Sequence, residues 1–437
     1  MTQAPDLGAV PRRPWQRLLV GGLLPAGIKI ANAGLGYLTT LIAAWLLSPA
    51  EYGLFGAVIA FSLLCSFALS YGQPVAMIKF YHEQLVASGE RAADRQLSWS
   101  LLVGGLCLLL CTLAGALWLF AGKTDARGLG LIVLFCLLFS AGELLSVALR
   151  VKERMLAALA PRDALWRALV IAALSLLWLG GKAATTSQLL LLMSLLLLPC
   201  LAYQLRLLGP HLSWVWRGEG ARLHRRSCAF WGIVLTGPIL TQAGTLIVSG
   251  SFGLDDSGAY FAAERTSNLL TFLLVAIHIV VGPRLARAFE TRDFATTQRL
   301  VGLSALLAGG ASLLLFVPLA LFGNEVLACF SPRYAGQGAL LSWLALAQLC
   351  NAMAGVTAFF LQMAGFERLT LILSAWFALL SLGLQLLAAR LGSLEGVAIA
   401  SAGVSLLLNL ACILACRRHT GVDSTLLGVF RQGGAFR

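Results

Sequence analysis

The sequence predicts an all-α, polytopic membrane protein of about twelve transmembrane helices arranged as two six-helix lobes. Composition is the first reason. Of 437 residues, 59% are hydrophobic and 12% charged, and the mean hydropathy is +0.85. Soluble domains carry about 25% charged residues, so water alone is not the solvent of this chain. The second reason is run length. A spanning helix needs about 20 apolar residues, and twelve of them occupy roughly 250 positions, leaving little for a soluble domain. A barrel would show short alternating segments instead. The third reason is charge rhythm. Of 32 Lys and Arg, 25 fall in every second loop and the two tails, five in the intervening loops and two inside spans. Lys and Arg stay cytoplasmic while short translocated loops shed them. The rhythm requires twelve crossings with both termini cytoplasmic, which places the chain in a bacterial inner (cytoplasmic) membrane.

Taken in order, residues 1–17 form a cytoplasmic tail with Arg12, Arg13 and Arg17. The apolar run that follows is too long for a signal-peptide core and no small-residue cleavage site ends it, so it reads as an uncleaved first span. The expected spans are 18–47, 53–73, 97–121, 128–149, 168–182, 187–207, 228–251, 258–282, 300–322, 339–363, 370–389 and 395–416. The fifth is the shortest, and the turn Gly180-Gly181-Lys182 closes it. The basic segment 208–227 separates an N-terminal lobe, 18–207, from a C-terminal lobe, 228–416, and 417–437 is a cytoplasmic tail. A shift of 205 residues lays Thr40-Leu41-Ile42 on Thr245-Leu246-Ile247, Gly53 on Gly258, Ala57 on Ala262, Ser62 on Ser267 and Leu64 on Leu269. Glu51 then meets Asp256. Two six-helix copies share one orientation, so a pseudo-two-fold axis should run along the membrane normal, which is transporter architecture.

The net charge of +13 does not point to nucleic acid, because the basic residues sit at helix ends on one side. It suits topology and attraction to anionic membrane lipids. Nearly all of the ten cysteines lie in apolar runs without Cys-x-x-Cys or His partners, so they read as packing residues and not as a metal site. No zincin, P-loop or nucleophile-elbow motif appears, and no cofactor is implied. The longest translocated loop, 323–338, is too short for the catalytic loop of a glycan polymerase or ligase. The chain does not read as an enzyme.

Charges inside lipid are expensive and mark function by default. Lys29 falls roughly 15 Å into the first span at 1.5 Å per residue. Asn32, Gly36 and Thr39 or Thr40 continue its stripe, the face a helix turns to a wet cavity. Arg265 and Asn268 lie in the eighth span. Glu264 precedes Arg265 but points about 100° away. Gln242, Thr245 and Ser249 share a face of the seventh span, below Gly237-Pro238. Lys29, Asn32, Arg265, Asn268 and Gln242 are therefore the candidate substrate-binding residues. Glu143, in the fourth span, and Glu264 are the candidate ion-coupling residues, with Glu143 alternatively the counter-ion of Lys29. His278 reads as a structural histidine.

The segment Leu47-Ser48-Pro49-Ala50-Glu51-Tyr52-Gly53-Leu54-Phe55 resembles the first outward turn of oligosaccharide flippases, the polysaccharide exporters of the multidrug/oligosaccharidyl-lipid/polysaccharide superfamily. Gly258-Ala259-Tyr260-Phe261-Ala262-Ala263-Glu264-Arg265 is similar to the start of their eighth helix. The resemblance implies a central cavity opening alternately to either side. It implies a polyprenyl-pyrophosphate-linked oligosaccharide as cargo, an ion gradient of H+ or Na+ as drive, and a polysaccharide polymerase and other assembly proteins as partners. Lys29 and Arg265 would then meet the pyrophosphate, with Arg333 or Arg390 helping from the outer rim. The rival readings are a multidrug exporter of cationic drugs, which needs acidic cavity residues, a membrane polymerase or ligase, and a non-transporting scaffold.

Overall fold

The computed structural model describes residues 24–425 apart from 69, 210–211 and 213–219. Arg12, Arg13, Arg17, Arg217, Arg431 and Arg437 lie outside the described residues, as do the side chains of Arg222, Arg225, Arg226 and His278. Among the described residues there is no strand, and the helices line up as twelve rods. They are α1 Leu24–Leu46; α2 Pro49–Ala68, continued by Gln73–Ser88; α3 Glu90–Phe120; and α4 Ala126–Val151. Then come α5, from Met155–Leu159 through the π-helical turn Ala160–Leu165 to Trp166–Leu179, and α6 Thr186–Leu208. The second half has α7 Gly220–Ser251, and α8 from Leu254–Ser267 through the 3-10 turn Asn268–Thr271 to Phe272–Glu290. It ends with α9 Phe294–Leu321, α10 Gly338–Met353 with its continuation Thr357–Leu361, α11 Glu367–Arg390 and α12 Leu394–Thr420. The chain is a polytopic all-α membrane protein.

Three segments expected as loops are helical. Segment 74–96, expected as a loop, is mostly helix, with Pro74 in the first turn of the continuation of α2, where its missing N–H costs nothing. The basic loop before the fifth span is also helix. Pro161 removes a donor and crowds the preceding turn, and the backbone widens there into the π turn that carries Arg162 and Asp163. Arg162 and Arg167, expected among the loop cations, therefore stand inside the bundle. The described end of segment 208–227, from Gly220, is likewise the first turns of α7.

Among the described residues seven helices are long and apolar enough to cross a bilayer, judged by length and composition. The rods α1, α5, α7 and α8 carry Lys29, Arg162, Asp163, Arg167, Gln242, Glu264 and Arg265, and polarity is tolerated in a spanning helix where it faces protein and cavity instead of lipid.

Both halves repeat one packing scheme. α1 lies on α5 as α7 lies on α11, α2 on α4 as α8 on α10, and α4 on α6 as α10 on α12. The halves meet through α2 against α7 and α8, with α1 beside α8. The outward-turn motif has a structural task in this frame. The Glu51 carboxylate accepts the backbone N–H of Thr186 at 2.6 Å, and the Thr186 hydroxyl donates to the Glu51 carbonyl at 2.7 Å. An acid there complements the positive N-terminal end of α6, which Thr185 and Gln188 close as a capping box.

Candidate functional site

A cavity of about 220 Å³ lies between the two halves. Asn32, Gly36, Tyr37 and Thr40 of α1, Phe139 of α4, Trp166 and Arg167 of α5, and Arg265, Asn268 and Phe272 of α8 line it. Two guanidiniums therefore face one space. Arg167 Nε donates to the Asn32 amide oxygen at 3.2 Å, and Arg265 Nη2 donates to the Gln242 amide oxygen at 3.3 Å. Arg265 also stacks over the Phe261 ring, 4.8 Å from its centroid, and its buried Nε finds no hydrogen-bond partner among the described residues. Amide oxygens orient a guanidinium without cancelling its charge. Among the described residues neither arginine forms an ion pair.

The remaining inward cations are neutralised. Lys29 Nζ pairs with Asp163 at 2.6 Å, and Lys29 does not line the central cavity. Glu143 pairs with Arg162 and, at 3.0 Å, with Arg150, while Arg162 stacks 4.6 Å over Phe139. The expected pairing of Glu143 with Lys29 is thus corrected. Once the π turn brings Arg162 and Asp163 inward, each charge has a nearer partner. Arg333 stands at the rim beside Asp255, 3.9 Å away and largely exposed. Sequence reading missed Arg167, Arg162 and Asp163 because it assigned them to a basic loop. Pro161 was the available signal.

A second cavity of about 240 Å³ lies within the C-terminal half, among α7, α8, α10, α11 and α12. Its wall is polar without being basic, with Thr241, Tyr260, Glu264, Gln348, Asn351, Ser381, Ser405 and Asn409. Glu264 is 6% exposed. The Thr245 hydroxyl donates to one carboxylate oxygen, and the other oxygen finds no partner among the described residues. Gln348 closes the partition between the cavities by donating to Asn268 Oδ1 at 2.7 Å. Consecutive residues of α8 therefore face different chambers, Arg265 the central one and Glu264 the lateral one. Among the described residues no cluster of His, Cys, Asp or Glu suits a metal ion.

Two six-helix repeats around a cation-lined central cavity define a membrane transporter, and solved structures share the architecture. An inward-facing multidrug resistance MATE family transporter of the MOP superfamily superposes with TM-score 0.69 at 17% identity, covering 88% of this chain and 94% of that one. An outward-facing structure described in the same words superposes at 0.60 and 16%, covering 94% and 98%. A MOP superfamily transporter from Pyrococcus furiosus, whose description notes a binding pocket of reversed polarity, superposes at 0.62 and 15%, covering 97% and 100%. These likenesses show the fold. The family profile described as polysaccharide biosynthesis protein matches residues 18–289, more than half of the sequence, and the chain belongs to that family. No curated protein matches the sequence.

Proposed function

We propose that the protein flips polyprenyl-pyrophosphate-linked oligosaccharide repeat units from the cytoplasmic to the periplasmic leaflet by alternating access, for surface polysaccharide assembly. The observation that carries this reading is the pair Arg167 and Arg265, two guanidiniums turned into one cavity that stack on aromatic rings and donate to amide oxygens but meet no carboxylate partner among the described residues. A pyrophosphate leaving water needs such charge-assisted donors, since its desolvation is otherwise prohibitive. Arg167 takes the place that sequence reading gave to Lys29. Asn32 and Gln242 act by aiming the two arginines, and Asn268 by lining the cavity and closing its partition. The lobes 18–207 and 228–416 rock about the seam, with both termini cytoplasmic in the inner membrane and a polymerase downstream.

Ion coupling falls to Glu264, whose unpartnered oxygen lies in a polar chamber able to take H+ or Na+. Glu143 is engaged by two arginines and serves the scaffold. A multidrug exporter of cations would need the acid in the central cavity. There the charges are positive, and the acid faces the neighbouring chamber.

Deleting the gene and extracting lipid-linked sugars tests the reading. The expected result is complete repeat units accumulating on the polyprenyl carrier while surface polymer is lost. Unchanged lipid-linked sugars with new sensitivity to cationic drugs would move the assignment to drug export. Complementation with Arg167→Ala or Arg265→Ala should lower export about 10- to 100-fold, the equivalent of one charged hydrogen bond. Glu264→Gln should retain the protein in the membrane but abolish the response of export to a collapsed ion gradient, and a normal response would remove Glu264 from coupling.

A further inference from the structure

On the side of the translocated loops the internal repeat meets itself. Gly53 of α2 and Gly258 of α8, equivalent under the 205-residue shift, stand face to face. A Cβ on Gly53 would lie 1.7 Å from the Leu254 carbonyl oxygen and 2.9 Å from the Gly258 nitrogen. A Cβ on Gly258 would lie 2.2 Å from the Tyr334 hydroxyl and 3.0 Å from the Pro49 carbonyl oxygen. Only hydrogen at both positions lets the backbones approach this closely, the device by which small residues bring helices together in lipid. Around the contact, Tyr52, Phe55, Phe261, Phe330 and Tyr334 form a ring cluster with centroids 5.6 to 6.4 Å apart. It closes the translocated-loop end of the bundle, as Tyr37 of the central cavity packs on Phe330 at 6.0 Å.

The bonds across this seam are few, and neutral oxygens accept them. Ser257 Oγ donates to the Gly53 carbonyl at 3.4 Å, and the Tyr334 hydroxyl donates to the Pro49 carbonyl at 3.4 Å. Trp45 Nε1 donates to the Cys329 carbonyl at 2.8 Å, and Lys123 Nζ donates to the Ser249 carbonyl at 2.9 Å. Each of these four ends on a backbone carbonyl, Tyr37 and Thr266 share a side-chain hydrogen bond, and at this end of the bundle no ion pair joins the halves among the described residues. Water replaces such a donor or acceptor at little net cost, so the seam can part without stranding a buried charge. Lys123 is the charged member, and it sits in the short turn between α3 and α4, where water is close at hand.

We propose that this seam is the outer gate of the transport cycle and that Lys123 is its detachable clasp. The halves part along Gly53 and Gly258 to admit water from outside to Arg167 and Arg265. Lys123 exchanges the Ser249 carbonyl for water as they do. The inference rests on the alternating-access reading but not on the identity of the cargo.

Its test is thiol labelling from outside in spheroplasts. The parent carries Cys329→Ser, which removes the exposed outer thiol and leaves the carbonyl, with Ala33→Cys placing a reporter in the central cavity wall. A membrane-impermeant maleimide should label the reporter several-fold faster when Lys123→Ala is added, and at the parent rate with Lys123→Arg. Gly53→Val should give a larger increase, because its side chain has no room in the closed seam. Equal labelling in the parent and Lys123→Ala, with both proteins monodisperse in detergent, would overturn the proposal even if Gly53→Val fails to assemble. Faster labelling with unchanged lipid-linked sugars on gene deletion would keep the gate and remove the oligosaccharide reading.

Discussion

At the scale of single residues, function follows from which buried charges are answered. Arg162, Glu143 and Arg150 answer one another, as do Lys29 and Asp163, whereas Arg167 and Arg265 have amide oxygens and aromatic rings but no carboxylate among the described residues. Breaking an answered buried pair strands a charge, which costs about 3–5 kcal/mol. Glu143→Ala should therefore lower the thermal midpoint of the detergent-purified protein sharply, through Arg162. An unchanged midpoint would count against the scaffold role. Arg167→Ala removes a charge that nothing neutralises, so stability should hold while export falls. Arg167→Lys should recover export only in part, because an ammonium lacks the planar fork that matches a phosphate. These three variants separate holding the fold from holding the cargo.

At the scale of elements, ends and interruptions carry the design. The basic-side end of α4 is clasped to α3 by Lys152, which pairs with Asp94 at 2.6 Å and Glu90 at 3.2 Å. Burial works against the charge of Lys152, but the hydrogen bonds it donates to Asp94, Tyr81 and Glu90 outweigh it and raise the pKa above its ordinary value. A raised lysine pKa means the clasp contributes its full stability from neutral pH up to about 10.4 and loses it as pH climbs through the folded value. The stability gap between wild type and Lys152→Met should thus be constant from neutral to mildly alkaline pH and close only beyond that. A gap that shrank between pH 6 and 8 would assign the clasp to another group. The interruptions in α5 and α8 matter differently. The π turn of α5 turns Arg162 and Asp163 inward, and the 3-10 turn of α8 begins at Asn268, where the two chambers are partitioned.

At the scale of the whole molecule, the repeated packing scheme puts the seam on the line where equivalent residues meet, and the central cavity beside it. A ligand that binds only the folded bundle stabilises it by mass action, about 2.7 kcal/mol at a concentration 100 times Kd. A polyprenyl diphosphate carrying sugar should raise the thermal midpoint of the wild-type protein in proportion to its logarithmic concentration. The double variant Arg167→Ala with Arg265→Ala should show no such rise. A rise of equal size in both would mean that the lipid tail alone is recognised, away from the two arginines.

The sequence by itself determined the membrane as solvent, the all-α class and the presence of a polar face on the first, seventh and eighth rods. Hydropathy and loop charge act over whole segments, and a segment of twenty residues averages out local exceptions. The 205-residue shift made Gly53 and Gly258 equivalent, but that they touch was decided by the tertiary structure. Partners were another matter. That Lys29 belongs to Asp163, that Glu143 belongs to Arg162, and that Arg167 is the second cavity cation were decided only by tertiary structure. One widened turn at Pro161 rotates every later side chain of α5, and charge pairing depends on ångström distances between rods far apart in the chain.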